Sequence, residues 1–191
     1  MANVYDFDDT IFKGDSSLLF WIFCVKKKPL LLRYLPKQIW GLARYKAKRI
    51  SLTKCKEEFF CFLKGIENIS DMVSLFKFKN KKRIKPWYLA QRQPNDIIIT
   101  ASPEFLVKEL LCTGGDLPRV IGSSVDCHTG KIIGENCKGE EKVKRLRRRY
   151  PDVIIEKFYS DSYSDQPLAN LANEAFIVEG NIIDKWEKKN V

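Results

Sequence analysis

The chain has 191 residues, of which 45% are hydrophobic, and its 34 lysines and arginines against 24 aspartates and glutamates give a formal net charge of +10 at pH 7. This length allows one ordinary domain with a modest insertion and leaves little room for a second full domain. The positive charge favours anionic partners, such as phosphorylated metabolites, acidic lipid or nucleic acid.

The cysteine spacing and the first residues of the chain indicate the cellular compartment in which the protein is expected. Six cysteines occur without a CxxC pair, and no charged segment followed by an apolar one opens the chain, so we expect a reduced, cytoplasmic protein. The most apolar stretch, residues 16–25, ends at three lysines. Because roughly 18 to 20 apolar residues are needed to span a bilayer, we expect no transmembrane helix.

The first half of the chain predicts one strand and then only helices. A short apolar run over residues 3–7 predicts a buried strand. Residues 16–90 carry helical spacing almost throughout, with prolines as breaks, and predict two to four helices without a strand. This region has eleven basic residues and no acidic residue between Asp15 and Glu57. It therefore predicts a strongly positive surface, either an ordinary solvated face or one that recruits an acidic membrane or polyanion.

The second half alternates strands with helices. Predicted strands cover residues 96–100, 119–126, 155–161 and 175–180; a hairpin covers 127–135; and helices cover 103–112, 139–149 and 165–173. Such alternation indicates an α/β fold with a mostly parallel sheet covered on both faces. A helical block is therefore inserted after the first strand.

Polar side chains follow three of the predicted strands at the point where each strand ends. Asp6 and Asp8 end the first strand, Thr100 ends the second, and Asp161 ends the strand over residues 155–161. Because ligands gather at the carboxyl ends of parallel strands, we expect these groups to meet in one crevice, with Lys142 in reach from the following helix. Clustered carboxylates repel one another, and Mg²⁺ would compensate them. The set suits phosphoryl transfer, which needs alignment and charge stabilisation.

The same residues resemble a known family. "DFDDT" at residues 6–10 resembles the first motif, DxDx[TV], of the haloacid dehalogenase (HAD) superfamily. Thr100 in "IIITAS", Lys142 in "GEEKVKRL" and the acidic "SDSYSD" resemble the second, third and fourth motifs, in the family's order. The resemblance covers essentially the whole chain, and the helical insertion is similar to the cap of the phosphoserine-phosphatase-like branch, subfamily IB. It implies a Rossmann-like three-layer core over residues 1–14 and 91–191 and a helical cap over residues 15–90.

The resemblance also implies an activity and a role for each motif residue. It implies a phosphatase that hydrolyses a phosphomonoester through an aspartyl-phosphate intermediate. Asp6 would be the nucleophile, and Asp8 the general acid and then the general base. Thr100 and the backbone amides of Ala101 and Ser102 would bind the phosphoryl oxygens, while Lys142 would neutralise the developing charge.

A Mg²⁺ cofactor is part of the same implication. The ion would be held by the Asp6 carboxylate, the Asp8 backbone carbonyl and the Asp161 carboxylate, with Asp165 nearby to orient the metal shell or Lys142. Asp165 by itself is read equally well as the N-cap of the following helix. Asp9 is read as a solvated residue or a helix cap, and Thr10 as a local packing residue.

The chain departs from phosphoserine phosphatases where the substrate is held. Ala101 and Ser102 stand where those enzymes have glycines, and Phe59 or Phe60 stands where the cap supplies an arginine for the amino-acid carboxylate. Asp15 occupies the position of the glutamate that holds the amino group. We therefore expect a small phosphorylated substrate other than free phosphoserine, since an apolar side chain cannot pair with a carboxylate.

Two alternatives remain open on the sequence. One is a lipid-phosphate phosphatase that acts at an acidic membrane surface, and the other is a non-catalytic polyanion-binding protein. Nucleic acid is the less favoured partner, since the basic "KVKRLRRRY" run also reads as a solvated helix face. A response-regulator receiver is disfavoured because its phosphate acceptor lies on a later strand. No oligomeric state is indicated.

Overall fold

The computed structural model describes residues 1–113 and 119–187, and within them one sheet of six strands lies at the centre of the fold. The strand order is β3-β2-β1-β4-β5-β6. All neighbouring pairs are parallel except β5 and β6, which are antiparallel. The strands are β1 (Ala2–Tyr5), β2 (Ile97–Pro103), β3 (Arg119–Ser123), β4 (Ile155–Ser160), β5 (Ala172–Glu179) and β6 (Ile182–Lys185).

Eight α-helices accompany this sheet in the described ranges, and five of them come between β1 and β2. Three short 3₁₀ segments also lie in this insertion, over Pro29–Tyr34, Cys61–Gly65 and Lys81–Arg83. The helices are α1 (Ser16–Lys27), α2 (Leu35–Lys46), α3 (Leu52–Phe60), α4 (Ile69–Asn80), α5 (Pro86–Gln91), α6 (Glu104–Leu111), α7 (Glu140–Arg149) and α8 (Gln166–Ala169).

Strands β1, β2, β3 and β4 bury most of both faces, which gives the fold three layers. Successive residues of a strand point to opposite faces, and Val4 and Tyr5 accordingly belong to two different apolar clusters. The cluster containing Tyr5 joins the sheet to α6 and to residues of the insertion, among them Phe76 of α4. The cluster containing Val4 is closed by α7 and α8, through Leu146 and Leu168. The α/β fold with a mostly parallel, doubly covered sheet is confirmed.

The insertion contains more helices than the two to four predicted from periodicity. Five α-helices form between residues 16 and 91, because prolines and polar residues start new ones at close intervals. Pro36 lies in the first turn of α2 and Pro86 begins α5, positions where a missing N–H costs nothing. Asn68 caps α4 by accepting a hydrogen bond from the Asp71 N–H.

The predicted hairpin over residues 127–135 forms only as a short one, with a single antiparallel bridge between Val125 and Ile132. The Asp126 N–H donates to the Lys131 carbonyl and the Ile133 N–H to the Ser124 carbonyl, both at 2.8 Å. The Ile132 N–H points away from the partner strand in such a pair and donates instead to the Glu57 carboxylate of α3 at 3.1 Å. The hairpin is thereby joined to the insertion.

The predicted helix over residues 165–173 is also too long. Helix α8 ends at Ala169, and Ala172 already pairs with Ile155 at the start of the β5 ladder. Pairing with a buried neighbouring strand thus overrides the helical spacing of these residues. Strand β6, which the sequence reading did not include, adds an antiparallel edge by pairing its Asp184 with Ile177.

Two further observations concern the whole described chain. Over residues 1–113 and 119–187, no helix combines the length and the apolar character needed to cross a lipid bilayer. All six cysteines are free, and three of them, Cys24, Cys61 and Cys137, are buried.

Candidate active site

The carboxyl end of β1 places the first acidic motif in the middle of the sheet. Strand β1 lies between β2 and β4, with Tyr5 opposite Ile98 on one side and Tyr159 on the other. The Asp6 N–H still donates to the Tyr159 carbonyl at 2.8 Å. The next N–H, that of Phe7, turns to the Asp6 carboxylate at 2.8 Å. The strand therefore ends before residue 7, and the chain bends over the sheet edge.

A tight turn follows and brings the chain back to the start of α1. Asp9 adopts a left-handed φ of 51°, a conformation that aspartate tolerates better than most residues. Its carboxylate accepts from the Gly14 N–H at 2.8 Å, so Asp9 stabilises the turn and is exposed, as its solvated reading predicted. The Ser16 N–H donates to Asp8 Oδ1 at 2.7 Å. The first residue of α1 thereby orients the Asp8 carboxylate.

Lys142 joins two carboxylates in the buried floor of the site. Its Nζ lies 3.1 Å from Asp6 Oδ1 and 2.7 Å from Asp165 Oδ2, and the Lys142 side chain is only 2% exposed. Burial acts to lower the pKa of Lys142, but the charges of Asp6 and Asp165 outweigh it and raise that pKa. Lys142 is therefore a fixed cation. Burial also raises the pKa of Asp6, against the opposing charge of Lys142.

Asp165 lies at the start of a helix and also contacts the Lys142 cation. It lies at the N-cap position of α8, but its side chain makes no capping hydrogen bond. Instead, Asp165 Oδ2 accepts from Lys142 and, at 2.8 Å, from the Ser160 hydroxyl. Asp165 thus occupies the predicted N-cap position, but its side chain does not cap the helix. The carboxylate itself serves to hold Lys142.

The Asp8 carboxylate is held by a cluster of three serine side chains and backbone groups. Ser102 Oγ donates a short hydrogen bond to Asp8 Oδ2. The Ser16 and Ser17 hydroxyls lie 3.2 and 2.9 Å from Ser102 Oγ. Burial raises the pKa of Asp8 to about 6, while the hydrogen bonds from Ser102 and Ser16 act to lower it. A carboxyl group with this pKa can exchange a proton near neutral pH.

Asp161 is joined to the same turn by a residue that the sequence reading treated as local. The Thr10 hydroxyl donates to Asp161 Oδ1 at 3.2 Å and accepts from the Asp161 N–H at 2.9 Å. Thr10 is fully buried and lies 151 positions from its partner. Its local reading is therefore incomplete, and the threonine of the DxDx[TV] pattern was the signal for this role.

The last residues of β2, after Thr100, are tied down by side chains. The Ser102 N–H donates to Thr100 Oγ1 at 3.0 Å, so that amide already has a partner. The Ala101 carbonyl accepts from Lys56 Nζ at 2.8 Å and from the Ser123 hydroxyl at 2.9 Å. Side chains from α3 and β3 thus fix the end of this strand.

Two residues of the insertion lie at the edge of the site. Asp15 is exposed and caps α1 by accepting from the Leu18 N–H at 2.9 Å. Lys56 was counted only as part of the basic segment, yet it contacts Ala101. Burial lowers the pKa of Lys56, while the charges of Asp15 and Asp8 act to raise it. No local sequence signal separates Lys56 from the other lysines of the insertion.

The donor atoms at this edge of the sheet fit Mg²⁺. In the part of the chain that the structure describes, no three His, Cys, Asp or Glu side chains are grouped as metal ligands. Mg²⁺, however, usually takes only one or two protein carboxylates, with water and substrate phosphate as its other ligands. Asp165 Oδ1 is buried and has no hydrogen-bond partner among the described residues. A nearby divalent cation would compensate this oxygen together with the Asp6 and Asp161 carboxylates.

A cavity of about 510 Å³ opens beside Asp8 and Ser102. Its walls come from α1, α2 and α3 and are mainly apolar. Phe59 and Phe60, which stand where an arginine was expected from the family pattern, both line it, together with Trp21. The cavity therefore connects the carboxyl edge of the sheet to the helical insertion.

Comparison with solved structures shows the same fold elsewhere. A protein of unknown function from Bordetella pertussis Tohama I matches with a TM-score of 0.70 and 18% identity, over 91% of this chain and 87% of that one. A phosphoserine phosphohydrolase-like protein from Francisella tularensis subsp. tularensis SCHU S4 matches with a TM-score of 0.54 and 15% identity, over 92% and 86%. At these identities the likeness is one of fold.

Sequence comparison gives a partial relative and a family. Protein CicA of Caulobacter vibrioides (strain NA1000 / CB15N) is 36% identical over 85 residues, which make up 41% of this chain and 37% of that protein. The chain thus matches little more than a third of this relative's length. The family model for haloacid dehalogenase-like hydrolases matches residues 4–170, a range that includes all four motifs. The chain belongs to the haloacid dehalogenase-like hydrolase family, and the predicted membership and hydrolase class are confirmed.

Proposed function

We propose that the protein is a Mg²⁺-dependent phosphatase that hydrolyses a phosphomonoester through an aspartyl-phosphate at Asp6. The observation that carries this proposal is the buried contact of Lys142 with both Asp6 and Asp165. A buried lysine at a hydrolase site, held by one carboxylate and directed at another, neutralises the charge that builds up during phosphoryl transfer.

Asp6 and Asp8 have different environments, which suits different roles. Burial raises the pKa of Asp6, but Asp6 lies against the Lys142 cation, which acts in the opposite direction and favours the ionised form that attacks phosphorus. Attack on a phosphomonoester forms the Asp6 Oδ–P bond and breaks the bond to the leaving oxygen, which takes a proton from Asp8. Asp8 then accepts a proton from the water that cleaves the acyl phosphate. Its raised pKa, about 6, suits this exchange.

Mg²⁺ would be held by the Asp6 and Asp161 carboxylates and the Asp8 backbone carbonyl, with Asp165 beside them. When bound, it supplies charge stabilisation for the phosphoryl oxygens. The Asp8 carbonyl accepts from the Thr10 N–H at 2.6 Å and retains a second lone pair. Thr10, through its two hydrogen bonds with Asp161, positions that carboxylate.

Thr100, the residues after it and the helical insertion complete the proposal. Thr100 and the amides of Ala101 and Ser102 bind the phosphoryl oxygens; the Ser102 N–H must then exchange its bond with Thr100 Oγ1 for one with substrate.

Residues 15–90 act as the cap over a core of residues 1–14 and 91–191. The six free cysteines support a reduced, cytoplasmic location.

Free phosphoserine is proposed to be a poor substrate. The Francisella protein of similar fold is described as phosphoserine phosphohydrolase-like, but Phe59 and Phe60 here line the cavity that a leaving group would enter. An amino-acid carboxylate placed there would lose its hydration without gaining a cationic partner from either ring. Asp15 remains available near the cavity for a positively charged group, although it also caps α1.

The test compares two aspartates of one turn. Purified Asp6→Asn and Asp9→Asn variants are assayed for phosphate release from para-nitrophenyl phosphate, with Mg²⁺ and with a chelator. We expect Asp6→Asn to lose activity by about 1,000-fold or more and Asp9→Asn to stay within a few-fold of the parent. Equal activity of the two variants, or none in the parent protein, would contradict the proposal. In the second case, binding to polyanions becomes the leading account.

A further inference from the structure

The apolar cavity beside the catalytic aspartates is continuous with them. Asp8 and Ser102 line its inner end, and Leu18, Ile39 and Leu42 line it while also being 46%, 59% and 49% exposed. The last three residues therefore form its mouth. A group in this cavity lies next to the acid that protonates the leaving oxygen, so its natural occupant is the leaving alcohol of the substrate.

The walls between the two ends offer apolar contacts and few free polar groups. The Gln38 amide already donates to the Phe59 carbonyl at 2.7 Å, and Lys56 uses one of its three N–H groups for the Ala101 carbonyl. Trp21, Leu35 and Phe59 contribute hydrophobic surface. The volume of about 510 Å³ is that of an ordinary small-molecule site. A polar leaving group would lose its hydration here, whereas an alkyl chain would gain from burial.

The segment that supplies Ile39 and Leu42 to the mouth combines exposed apolar residues with positive charge. Residues 26–49, which we call the basic apolar surface, contain no acidic residue. Its large exposed apolar side chains are Leu30, Leu32, Ile39, Trp40, Leu42 and Tyr45. Its exposed basic side chains are Lys26, Lys27, Arg33, Lys37, Lys46, Lys48 and Arg49. Such a combination complements an anionic lipid surface, where each nearby basic residue contributes about 1 kcal/mol.

We propose that the cavity binds the hydrocarbon chain of a lipid phosphomonoester, taken from an anionic membrane by the basic apolar surface. The proposal rests on the phosphatase function proposed above and names its substrate class. The phosphate of such a lipid reaches Asp6 while its chain remains in the cavity, so the chain never crosses water. The chemistry of hydrolysis is unchanged, and what the insertion adds is selection for an apolar leaving alcohol.

The first experiment compares substrates that share a headgroup. Phosphate release is measured from 1-oleoyl-glycerol 3-phosphate in vesicles, from glycerol 3-phosphate, which has no chain, and from para-nitrophenyl phosphate as a soluble aryl substrate. We expect kcat/KM for the oleoyl compound to exceed that for glycerol 3-phosphate by at least about 100-fold. Equal values for these two would overturn the inference, while hydrolysis of para-nitrophenyl phosphate would show that the phosphatase function itself stands.

A matched pair of variants tests the cavity. Leu42 at the mouth and Leu75 on α4 are both 49% exposed, but only Leu42 lines the cavity. We expect Leu42→Gln to lower kcat/KM for the oleoyl substrate about tenfold and Leu75→Gln to leave it unchanged. Equal kcat/KM values of the two variants for the oleoyl substrate would show that the cavity does not bind the hydrocarbon chain.

Vesicle binding tests the membrane part without catalysis. Co-sedimentation of the Asp6→Asn variant is measured with phosphatidylcholine vesicles and with vesicles that also contain phosphatidylglycerol, at low and high salt. We expect binding only to the anionic vesicles, weakened by salt and by the double change Lys37→Gln and Trp40→Gln. If no vesicle binds, an amphiphile free in solution is the substrate source and the proposed membrane source is overturned. If no substrate is hydrolysed, both the phosphatase function and this inference fail.

Discussion

Gly41 of α2 lies directly against Glu58 of α3, so that a Cβ atom at Gly41 would be only 2.8 Å from the Cβ of Glu58. The close approach brings the buried Glu58 carboxylate to Arg44, with which it forms an ion pair. Helices α2 and α3 also provide walls of the apolar cavity. The contact between Gly41 and Glu58 therefore sets the spacing of two cavity walls.

Gly41→Ala is expected to lower the free energy of unfolding by about 1–2 kcal/mol. Alanine favours a helix over glycine by about 1 kcal/mol, but the overpacking against Glu58 outweighs this gain. Urea denaturation measures the difference. Ala43→Gly, at an exposed position of α2, measures the difference in helix propensity between alanine and glycine without overpacking. A stabilised Gly41→Ala protein would mean that the two helices separate easily.

Lys142→Met is expected to abolish activity and to lower the free energy of unfolding by about 3–5 kcal/mol. The change leaves Asp6 and Asp165 as buried carboxylates without their shared cation. Lys142→Arg keeps the charge and should recover part of the stability while activity stays at least about tenfold reduced, since a planar guanidinium cannot replace the compact ammonium. Thermal denaturation and phosphate release are the measurements.

The exposed Lys144 on the same helix provides the control for this prediction. Lys144→Met removes one positive charge from α7 without touching the site, and we expect parent-like activity. A Lys142→Met protein that retains its stability would show that Asp6 and Asp165 do not depend on the ammonium group.

Ser102→Ala is expected to reduce activity about 10- to 100-fold with a stability loss of about 1 kcal/mol. The change removes the donor that holds Asp8 and the acceptor shared by the Ser16 and Ser17 hydroxyls. Steady-state kinetics and urea denaturation together separate the two effects. Ser74→Ala, at an exposed position of α4, is the control. Unchanged kinetics in Ser102→Ala would show that Asp8 does not need this hydrogen bond.

Glu104→Gln is expected to lower stability in a pH-dependent way. Burial acts to raise the pKa of Glu104, but hydrogen bonds from Lys108 and the Gly122 N–H and the charge of Arg149 lower it below its ordinary value of 4.5. A carboxylate whose pKa is lower in the folded state stabilises the protein above the unfolded pKa. This contribution is lost as the pH falls through the folded pKa.

Unfolding of the parent and Glu104→Gln proteins at several pH values measures this effect. At pH 7 we expect a difference of about 1 kcal/mol, and the difference should shrink once the pH falls below about 4.5. A difference that is constant over this range would assign the effect of Glu104 to packing instead of charge.

The strands that lead into the site and the acidic motif could be predicted because both depend on local pattern. A buried strand ending at Asp6, a second at Thr100 and a third near Asp161 follow from short apolar runs and the polar residues after them. The neighbouring positions of β1, β2 and β4 then bring these ends to one edge of the sheet. The rule that the carboxyl ends of parallel strands lie at one edge of the sheet therefore predicted that the candidate catalytic residues are grouped.

The inaccurate secondary-structure predictions concern segments that contact residues far along the chain. Residues 172 and 173 have helical spacing, but the ladder with β4 incorporates them as strand. A partner far along the chain here competes with the local preference. The segment 127–135 keeps the turn of a hairpin, but the hairpin has a single bridge, between Val125 and Ile132, and Glu57 of α3 binds its outward Ile132 N–H.

The sequence by itself determined the family, the α/β class and the positions of Asp6, Asp8, Thr100, Lys142 and Asp161, because each depends on a short motif at a strand or helix end. Only the tertiary structure decided that Thr10 holds Asp161, that Lys56 fixes the Ala101 carbonyl, and that α1, α2 and α3 enclose an apolar cavity. These relationships join residues from separate elements. The packing of helices against the sheet, which no local periodicity records, brings them together.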